Sequence, residues 1–409
     1  MIHRALLFLA LPLALTAAPV PVKITPDGFI RGGQPYFVKG AGGEEQLPRL
    51  AALGANSIRT WGTEDLGKKL DAAAASNLSV SAGIWLESEC NWFSYHNPGH
   101  CAKQAERVKK DVLAHRDHPA LLAWGLGNEA EGGGDNVDFW KQLNRLALLV
   151  RELDPAHPSF TAVAGVNAAK INNLNEHAPA LDYLGVNTYG ALPSLRKTLH
   201  DLNWARPWLV TEWGTPGFWE RPRGAGDMPL EPTGTEKATA MAFAYDAALK
   251  PDHGCLGSYA FIWGWKNEGS VTWFGLLTDR GESTPAVGVL QQRWTGKAPG
   301  NSAPSLTPLA GVPQKPVAPG TAFTVATTGS DPDGDPLEYR WAVLPQQTGH
   351  DNGVSPPMPA PMPDCLPPTP PGPKMDLRAP AKPGKYRVYL WLADNKNNAS
   401  TANVPLVVE

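Results

Sequence analysis

Apolar and polar residues follow two alternating patterns along most of this 409-residue chain. From Tyr36 to Trp294, short runs of β-branched and apolar residues alternate with stretches whose apolar positions recur every three to four residues. The first pattern is typical of buried strands and the second of amphipathic helices. Eight strands are predicted in this way, at residues 36–39, 55–60, 79–85, 121–126, 159–164, 183–187, 208–212 and 256–263. The predicted helices include residues 64–76, 102–115, 137–153, 191–202, 235–249 and 282–294, with Asp135 and Thr233 as candidate N-caps.

Strictly alternating strands and helices predict parallel strands joined by right-handed crossovers. Eight such units over about 260 residues match the size of a closed (β/α)8, or TIM, barrel. An open doubly wound sheet is the alternative, but Gly40, Gly42 and Gly43 lack the spacing of a dinucleotide-binding turn. We therefore predict an α/β fold in which residues 19–295 form a (β/α)8 barrel that begins with a leading β-hairpin.

The composition changes after the last predicted helix. Residues 296–318 are rich in Pro, Ser and Thr, which predicts an extended linker and a barrel that folds and acts without the tail. Residues 319–409 show period-two runs divided by turns, and they predict a small all-β sandwich of the Ig-like or PKD-like kind. Inside it, the proline-rich residues 355–374 predict a surface loop of polyproline character. Asp331, Asp333 and Asp335 form either an ordinary acidic turn or a set of calcium ligands.

Residues 1–18 combine basic residues, an apolar run and small residues, a pattern typical of a cleaved secretory signal. An uncleaved anchor is the alternative, although the run is shorter than the ~20 residues of a membrane span. We expect a secreted or periplasmic protein with no stable membrane span after signal cleavage. In an oxidising compartment, Cys90, Cys101, Cys255 and Cys365 allow two disulfides, and Cys90 with Cys101 is the preferred pair.

The charge balance excludes some classes of partner. Lys and Arg number 36 and Asp and Glu 39, so the net charge of -3 gives no global basic field for nucleic acid. Neither a CxxC motif nor a Cys/His cluster is present, and we predict no metal and no cofactor. The 15 tryptophans are unusual, because flat aromatic faces are mostly kept for large cores or for stacking against ligands.

Carboxylates and aromatic residues dominate the predicted carboxyl ends of the strands, where a barrel carries its active site. Glu129 and Glu212, on the fourth and seventh strands, face one cleft in this arrangement. Cleavage of a glycosidic bond needs such a pair, and the separation of the two carboxylates decides between retention and inversion. No G-x-S-x-G elbow is present. The other strand-end residues are Arg59, Trp61, Trp85, Glu87, Glu89, Asn128, Asn187, Tyr189, Trp213, Trp263 and Trp265.

Two motifs resemble the catalytic signatures of clan A glycoside hydrolases. The segment W-G-L-G-N-E ends at Glu129, and W-L-V-T-E-W-G contains Glu212. The first is similar to the catalytic barrels of family 2, the β-galactosidase, β-mannosidase and β-glucuronidase group. The F-V-K-G and A-N-S-I-R segments, at residues 37–40 and 55–59, are also similar to family 5 glycosidases and β-1,3-glucanosyltransferases. The resemblance extends over most of residues 36–294.

The resemblance implies a role for each matching residue. Glu129 would be the general acid/base, preferred over Glu131 because it follows Asn128 directly, and Glu212 would be the nucleophile. Substrate-binding roles are predicted for Arg59 and Tyr189 beside the nucleophile, Asn128 at the sugar 2-hydroxyl and Trp263 as the floor of the sugar subsite. Trp61, Trp85 and Trp213 are predicted to bind substrate. The candidate sugar-stacking platforms, for each of which plain loop burial is an equal alternative, are Trp61, Trp92, Trp213, Trp219 and Trp273.

The predicted function is therefore a retaining β-glycosidase that hydrolyses the O-glycosidic bonds of a β-linked oligo- or polysaccharide by double displacement. A β-glucan transglycosylase on the same scaffold is one alternative, since it differs only in whether a sugar hydroxyl or water intercepts the intermediate. A non-catalytic carbohydrate-binding surface protein is the other.

Overall fold

The computed structural model describes residues 18–25, 28–347 and 355–409, so the predicted signal segment lies almost entirely outside the described residues. The described chain begins with three antiparallel strands, β1 (Val22–Thr25), β2 (Gly28–Arg31) and β3 (Gln34–Tyr36). Val22 and Phe29 of this sheet are buried against residues at the starts of the barrel strands, among them Val38 and Tyr183. The predicted hairpin thus covers the amino end of the barrel, opposite to its mouth.

Eight parallel strands close into a barrel, as the alternating pattern predicted. Each strand pairs with the next along the chain, and the last pairs with the first to complete the closure. The interior of such a barrel is filled by side chains, so the strands hold the residues at their carboxyl ends on a rigid base. The strands are β4 (Val38–Gly42), β5 (Ser57–Arg59), β6 (Ser79–Ile84), β7 (Leu121–Asn128), β8 (Ser159–Ala164), β9 (Tyr183–Asn187), β10 (Trp208–Trp213) and β11 (Cys255–Ala260).

A helix follows each barrel strand and packs on the outside. Thr233 caps its helix as predicted, in a reciprocal box with Glu236. The predicted cap at Asp135 is wrong by one residue, because the Asn136 side chain accepts the free N–H groups of Asp138 and Phe139. The helices are α1 (Leu47–Ala52), α2 (Leu66–Ala75), α3 (Pro98–His115), α4 (Val137–Leu153), α5 (Ala168–His177), α6 (Leu195–Asp201), α7 (Gly234–Ala248) and α8 (Pro285–Thr295). No helix in the described ranges has the length and apolar character needed to cross a bilayer.

The C-terminal part forms antiparallel sheets around a second hydrophobic core. Its largest sheet has the order β15-β17-β18, and the smaller ones pair β12 with β14 and β13 with β16. The strands are β12 (Ser305–Leu306), β13 (Ala322–Ala326), β14 (Gly329–Ser330), β15 (Glu338–Pro345), β16 (Lys374–Arg378), β17 (Gly384–Ala393) and β18 (Ala399–Val408). Residues 355–373 contain no strand, in agreement with the predicted polyproline loop.

Part of the predicted linker belongs to this second core. Leu306, Leu309 and Val312 are each less than one tenth exposed and pack with β-strand residues of the tail. The high proline content led to the prediction of a linker. Three apolar side chains at a spacing of three residues are nevertheless enough to hold the segment in the second core. Of the acidic turn, Asp331 and Asp335 lie near Asp394, whereas Asp333 accepts a hydrogen bond from the Ser302 backbone.

The preferred disulfide is wrong in this structure. Cys90 is exposed, and Cys101 is buried with its Sγ donating to the carbonyl of Tyr95 at 3.4 Å. Cys255 and Cys365 are likewise free and buried, in the barrel and in the tail respectively.

A buried polar network joins the tail to the barrel loops that follow β10 and β11. Glu231 accepts from Lys237 at 2.5 Å and from Thr272 at 2.8 Å, while Asn403 of β18 donates to the same carboxylate at 2.5 Å. Arg387 of β17 is fully buried and donates to the Pro229 carbonyl at 2.8 Å. Burial opposes the charge of Glu231, but Lys237 and Arg387 hold its pKa below the ordinary value. The expectation that the barrel folds and acts without the tail stays a prediction, and this shared network argues against it.

Replacing the buried cation tests how much the network stabilises the protein. Lys237→Met leaves the Glu231 carboxylate buried without its closest ion-pair partner, and we expect the free energy of unfolding to fall by about 3–5 kcal/mol. The matched control is Lys197→Met, which removes an exposed partner of Asp201 and should lower the free energy of unfolding far less, because exposed ion pairs contribute little to stability. Urea unfolding of the full chain measures both values, and equal losses in the two variants would contradict the prediction.

Candidate active site

Glu212 lies at the carboxyl end of β10 and is held by three donors. Arg59, at the end of β5, donates to Oε1 at 2.9 Å, and the indole N–H of Trp61 donates to the same oxygen at 2.7 Å. The Tyr189 hydroxyl donates to Oε2 at 3.0 Å. Because the carboxylate is only 7% exposed, these bonds fix its orientation and stabilise its negative charge.

Arg59 is itself fixed from several sides. It is buried, and its guanidinium also donates to the Thr211 carbonyl at 2.9 Å and to Asn128 Oδ1 at 2.6 Å. Its charged group lies over the Trp61 ring, 5.4 Å from the ring centre. The guanidinium therefore connects the ends of β5, β7 and β10, as expected of the residue predicted to lie beside the nucleophile.

Glu129 has a different environment from Glu212. It directly follows β7 in a left-handed backbone conformation, with φ of 52°, and its N–H donates to the Ala162 carbonyl at 2.8 Å. Asn187 donates to its Oε1 at 2.8 Å. The residue is exposed in the barrel mouth, yet protein atoms around the carboxyl displace part of its water, and this desolvation raises the pKa of Glu129. The negative charge of Glu212 raises that pKa further.

Asn128 and Asn187 connect the two carboxylates. Asn128 Oδ1 accepts from Arg59 and from Asn187 Nδ2, the latter at 3.0 Å. Within the described ranges no acceptor binds the Asn128 amide N–H, which leaves that group free to donate to a substrate hydroxyl. Asn187 itself is oriented by Thr211, whose hydroxyl donates to its Oδ1 at 2.7 Å. Asn187 was predicted at a strand end without a role, and its position at the end of β9 was the available signal.

Glu131 is a structural residue and not a rival to Glu129. It is buried, forms an ion pair with Lys170 at 2.7 Å and accepts the Ala164 N–H at 2.9 Å. These contacts fasten the loop after β7 to the end of β8. The structure thus agrees with the preference for Glu129, whose carboxyl faces the mouth.

Two of the predicted tryptophan contacts are wrong. Trp213 is fully buried and packs against Tyr245 of α7, with ring centres 5.8 Å apart. Successive side chains of a strand point to opposite faces, so when Glu212 points to the mouth, Trp213 must point to the helix layer. Trp263 is 2% exposed, with its indole N–H bonded to the Glu45 carbonyl, and a ring so enclosed does not present a face to a sugar.

Phe261 is a further aromatic residue near Glu212 and is also nearly buried, 6% exposed. Its ring centre lies 6.0 Å from that of Trp61 and 5.9 Å from that of Tyr189, the two aromatic donors to Glu212. It follows β11 directly, two residues before Trp263. Trp85 lies as predicted just beyond β6, 47% exposed.

Comparison with known proteins agrees with this geometry. Residues 71–219, which include both carboxylates, match the family described as glycosyl hydrolases family 2, TIM barrel domain. A curated β-glucuronidase from Bacteroides fragilis is 28% identical over 173 residues, which are 39% of this chain and 22% of that protein.

Two solved structures share the fold. A β-galacturonidase from Eisenbergiella tayi bound to galacturonate aligns with a TM-score of 0.52 at 17% identity, covering 69% of this chain and 54% of its own. A β-D-glucuronidase from Dictyoglomus thermophilum aligns with a TM-score of 0.52 at 20% identity, covering 68% and 54%. The chain thus spans about half the length of these structures and less than a quarter of the curated relative. Residues 71–219 of the barrel are thus similar to the TIM barrel domain of family 2 glycosyl hydrolases, and the solved structures share the barrel fold.

Proposed function

We propose that the protein is a retaining β-glycosidase in which Glu212 is the nucleophile and Glu129 the acid/base. The observation that carries the proposal is the contrast between the two carboxyl groups. Glu212 is enclosed by three hydrogen-bond donors that stabilise its charge, whereas Glu129 accepts one side-chain hydrogen bond and has a raised pKa. Environments that separate two carboxyl groups in this way assign the acid and the charged partner.

In the first step, a Glu212 oxygen attacks the anomeric carbon while the bond from that carbon to the leaving oxygen breaks. Glu129 gives its proton to the leaving oxygen, so the aglycone departs as a neutral alcohol and Glu129 becomes charged. The Asn128 amide N–H is free to donate to the sugar beside the reacting carbon. Its oxygen is held by Arg59 and Asn187, which fixes the direction of that donation.

In the second step, Glu129 takes a proton from water, and the water oxygen attacks the anomeric carbon and releases Glu212. Two inversions return the original configuration. An inverting enzyme would instead need Glu212 to take the proton from water, and a carboxylate whose two oxygens already accept from Arg59, Trp61 and Tyr189 is poorly suited to that task. The same intermediate yields a longer saccharide when a sugar hydroxyl replaces water.

Hydrolysis of a panel of aryl β-glycosides identifies the sugar at the reacting position. The similar proteins named above are β-glucuronidases and a β-galacturonidase. We therefore propose to assay aryl β-glycosides of glucuronic and galacturonic acid together with those of glucose, galactose and mannose.

Removal of the nucleophile gives the most direct test. Glu212→Ala should abolish turnover, by about 10⁴-fold or more, because no covalent intermediate can form. Added azide or formate should restore turnover by attacking from the vacated side, and the azide product should have the inverted configuration. Hydrolysis of an activated aryl β-glycoside, with NMR assignment of the product anomer, measures both effects.

The control for this variant is Glu106→Gln on the exposed face of α3, which should leave turnover unchanged. Wild-type activity in Glu212→Ala, or rescue with retained configuration, would remove Glu212 from the proposed role.

The raised pKa of Glu129 predicts the alkaline side of the pH profile. The first step needs the protonated form, so kcat/KM falls as pH rises through this pKa, and a raised pKa moves that fall to higher pH. The Asn187 amide favours the charged form of Glu129 and lowers its pKa. Asn187→Ala should therefore shift the alkaline limb to still higher pH, measured as kcat/KM against pH on a substrate with a poor leaving group.

A matched comparison is Glu129→Gln, which has no proton to lose and should lack this limb altogether while losing most activity on the same substrate. An alkaline limb that is unchanged in both variants would show that another group controls it.

A further inference from the structure

Three tryptophan side chains are exposed at the mouth of the barrel. Trp85, Trp92 and Trp219 expose 47%, 70% and 53% of their surface. Trp85 and Trp92 lie on the loop after β6, and Trp219 lies on the loop after β10. These strands are four positions apart in either direction around the eight-stranded barrel, so the two loops face each other across the mouth. Glu129 and Glu212 follow β7 and β10 and share this mouth.

Trp92 is presented by a tightly bonded turn. The backbones of Cys90 and Phe93 exchange hydrogen bonds of 2.9 and 3.1 Å, which places Trp92 at the tip between them. Phe93 and Tyr95 are nearly buried, with ring centres 4.9 Å apart, and the Tyr95 N–H donates to Glu89 at 3.0 Å. The loop therefore buries Phe93 and Tyr95 and leaves the Trp92 ring in solvent, where its exposure is unfavourable unless a ligand covers it.

Trp219 is linked to the nucleophile through one aromatic ring. Its ring meets that of Tyr189 edge to face at 5.5 Å, and Tyr189 donates to Glu212. Glu220 fixes the loop, since its carboxylate accepts the Gly217 N–H at 2.6 Å and the Gly190 N–H at 3.1 Å. Trp219 is therefore held beside the position of the reacting sugar.

We propose that the substrate is a saccharide chain that lies across the mouth, with sugar rings stacked on Trp219 at one side and on Trp85 and Trp92 at the other. This inference rests on the proposed function and specifies its substrate class as an oligo- or polysaccharide. The apolar face of a β-linked pyranose matches the flat face of an indole. The bond to be cleaved lies between the two platforms, beside Glu129 and Glu212.

The test is the dependence of kcat/KM on chain length. Wild-type enzyme is assayed on β-linked oligosaccharides of about two to six sugars and on an aryl β-glycoside of the same sugar. We expect kcat/KM to rise with length, and Trp92→Ala to lower it about tenfold on the longest substrate, as one lost stacking contact of roughly 1.4 kcal/mol implies. On the aryl glycoside the same variant should stay within about twofold of wild type. Trp219→Ala should lower kcat/KM on both substrates.

Phe243→Ala is the matched control, because Phe243 is 67% exposed but lies on α7, outside the barrel. It should not change kcat/KM on any substrate. Thermal unfolding of all variants checks that these exposed positions leave the fold intact.

Two outcomes would overturn the proposal: no rise of kcat/KM with length, or a Trp92→Ala variant that behaves like Phe243→Ala on the longest chain. If wild type cleaves the aryl glycoside without any length effect, the platform proposal fails while the proposed function stands. Full activity of Glu212→Ala would instead overturn the function itself.

Discussion

The ion pair between Arg59 and Glu212 is the interaction on which the site depends. Both residues are nearly buried, and removing the arginine would leave an uncompensated charge inside the barrel, at a cost of about 3–5 kcal/mol. The guanidinium also binds Asn128 and the Thr211 carbonyl, so it fixes the ends of three strands together. A short parallel strand, β5, is enough to place it, because the closed barrel allows no change in register between neighbouring strands.

The loops around this pair are stabilised from outside the barrel. Thr272 binds Glu231 in the network shared with β17 and β18, and the next two residues, Trp273 and Phe274, pack in the aromatic cluster with Phe261. Tyr189 packs against Phe274 at 5.5 Å and donates to Glu212. The C-terminal sheets therefore lie one loop away from Glu212. Their contribution to the cleft is structural, through the loops that follow β10 and β11.

Much of the fold and the central part of the site could be predicted from the sequence. The barrel could be predicted from the strand pattern, because the periodicity of the apolar residues and the strict alternation of strands and helices are compatible with few topologies. Glu129, Glu212, Arg59, Asn128 and Tyr189 were found because strand ends meet at one mouth and because two motifs resemble known signatures. The predictions that were wrong concern residues whose role depends on the direction of the side chain. Trp213 is one step past Glu212 in the strand and therefore faces the helices, and the burial of Trp263 depends on a loop conformation that no local pattern encodes.

The contact between the tail and the barrel also depends on side-chain directions that the sequence pattern does not encode. Its strands were predicted from period-two runs, but the buried contact with the barrel was not, because Glu231, Arg387 and Asn403 are polar residues that a pattern of apolar positions assigns to the surface. Only their pairing across the interface makes burial possible, since each charge or amide there finds a partner.

The surroundings of the two carboxyl groups of the site differ in the same respect, the number of polar partners that each group has. Glu212 is buried among three hydrogen-bond donors, whereas burial of the Glu129 carboxyl by protein atoms and the neighbouring negative charge of Glu212 raise the pKa of Glu129. What distinguishes the two carboxyl groups is thus the number of donors that surround each of them.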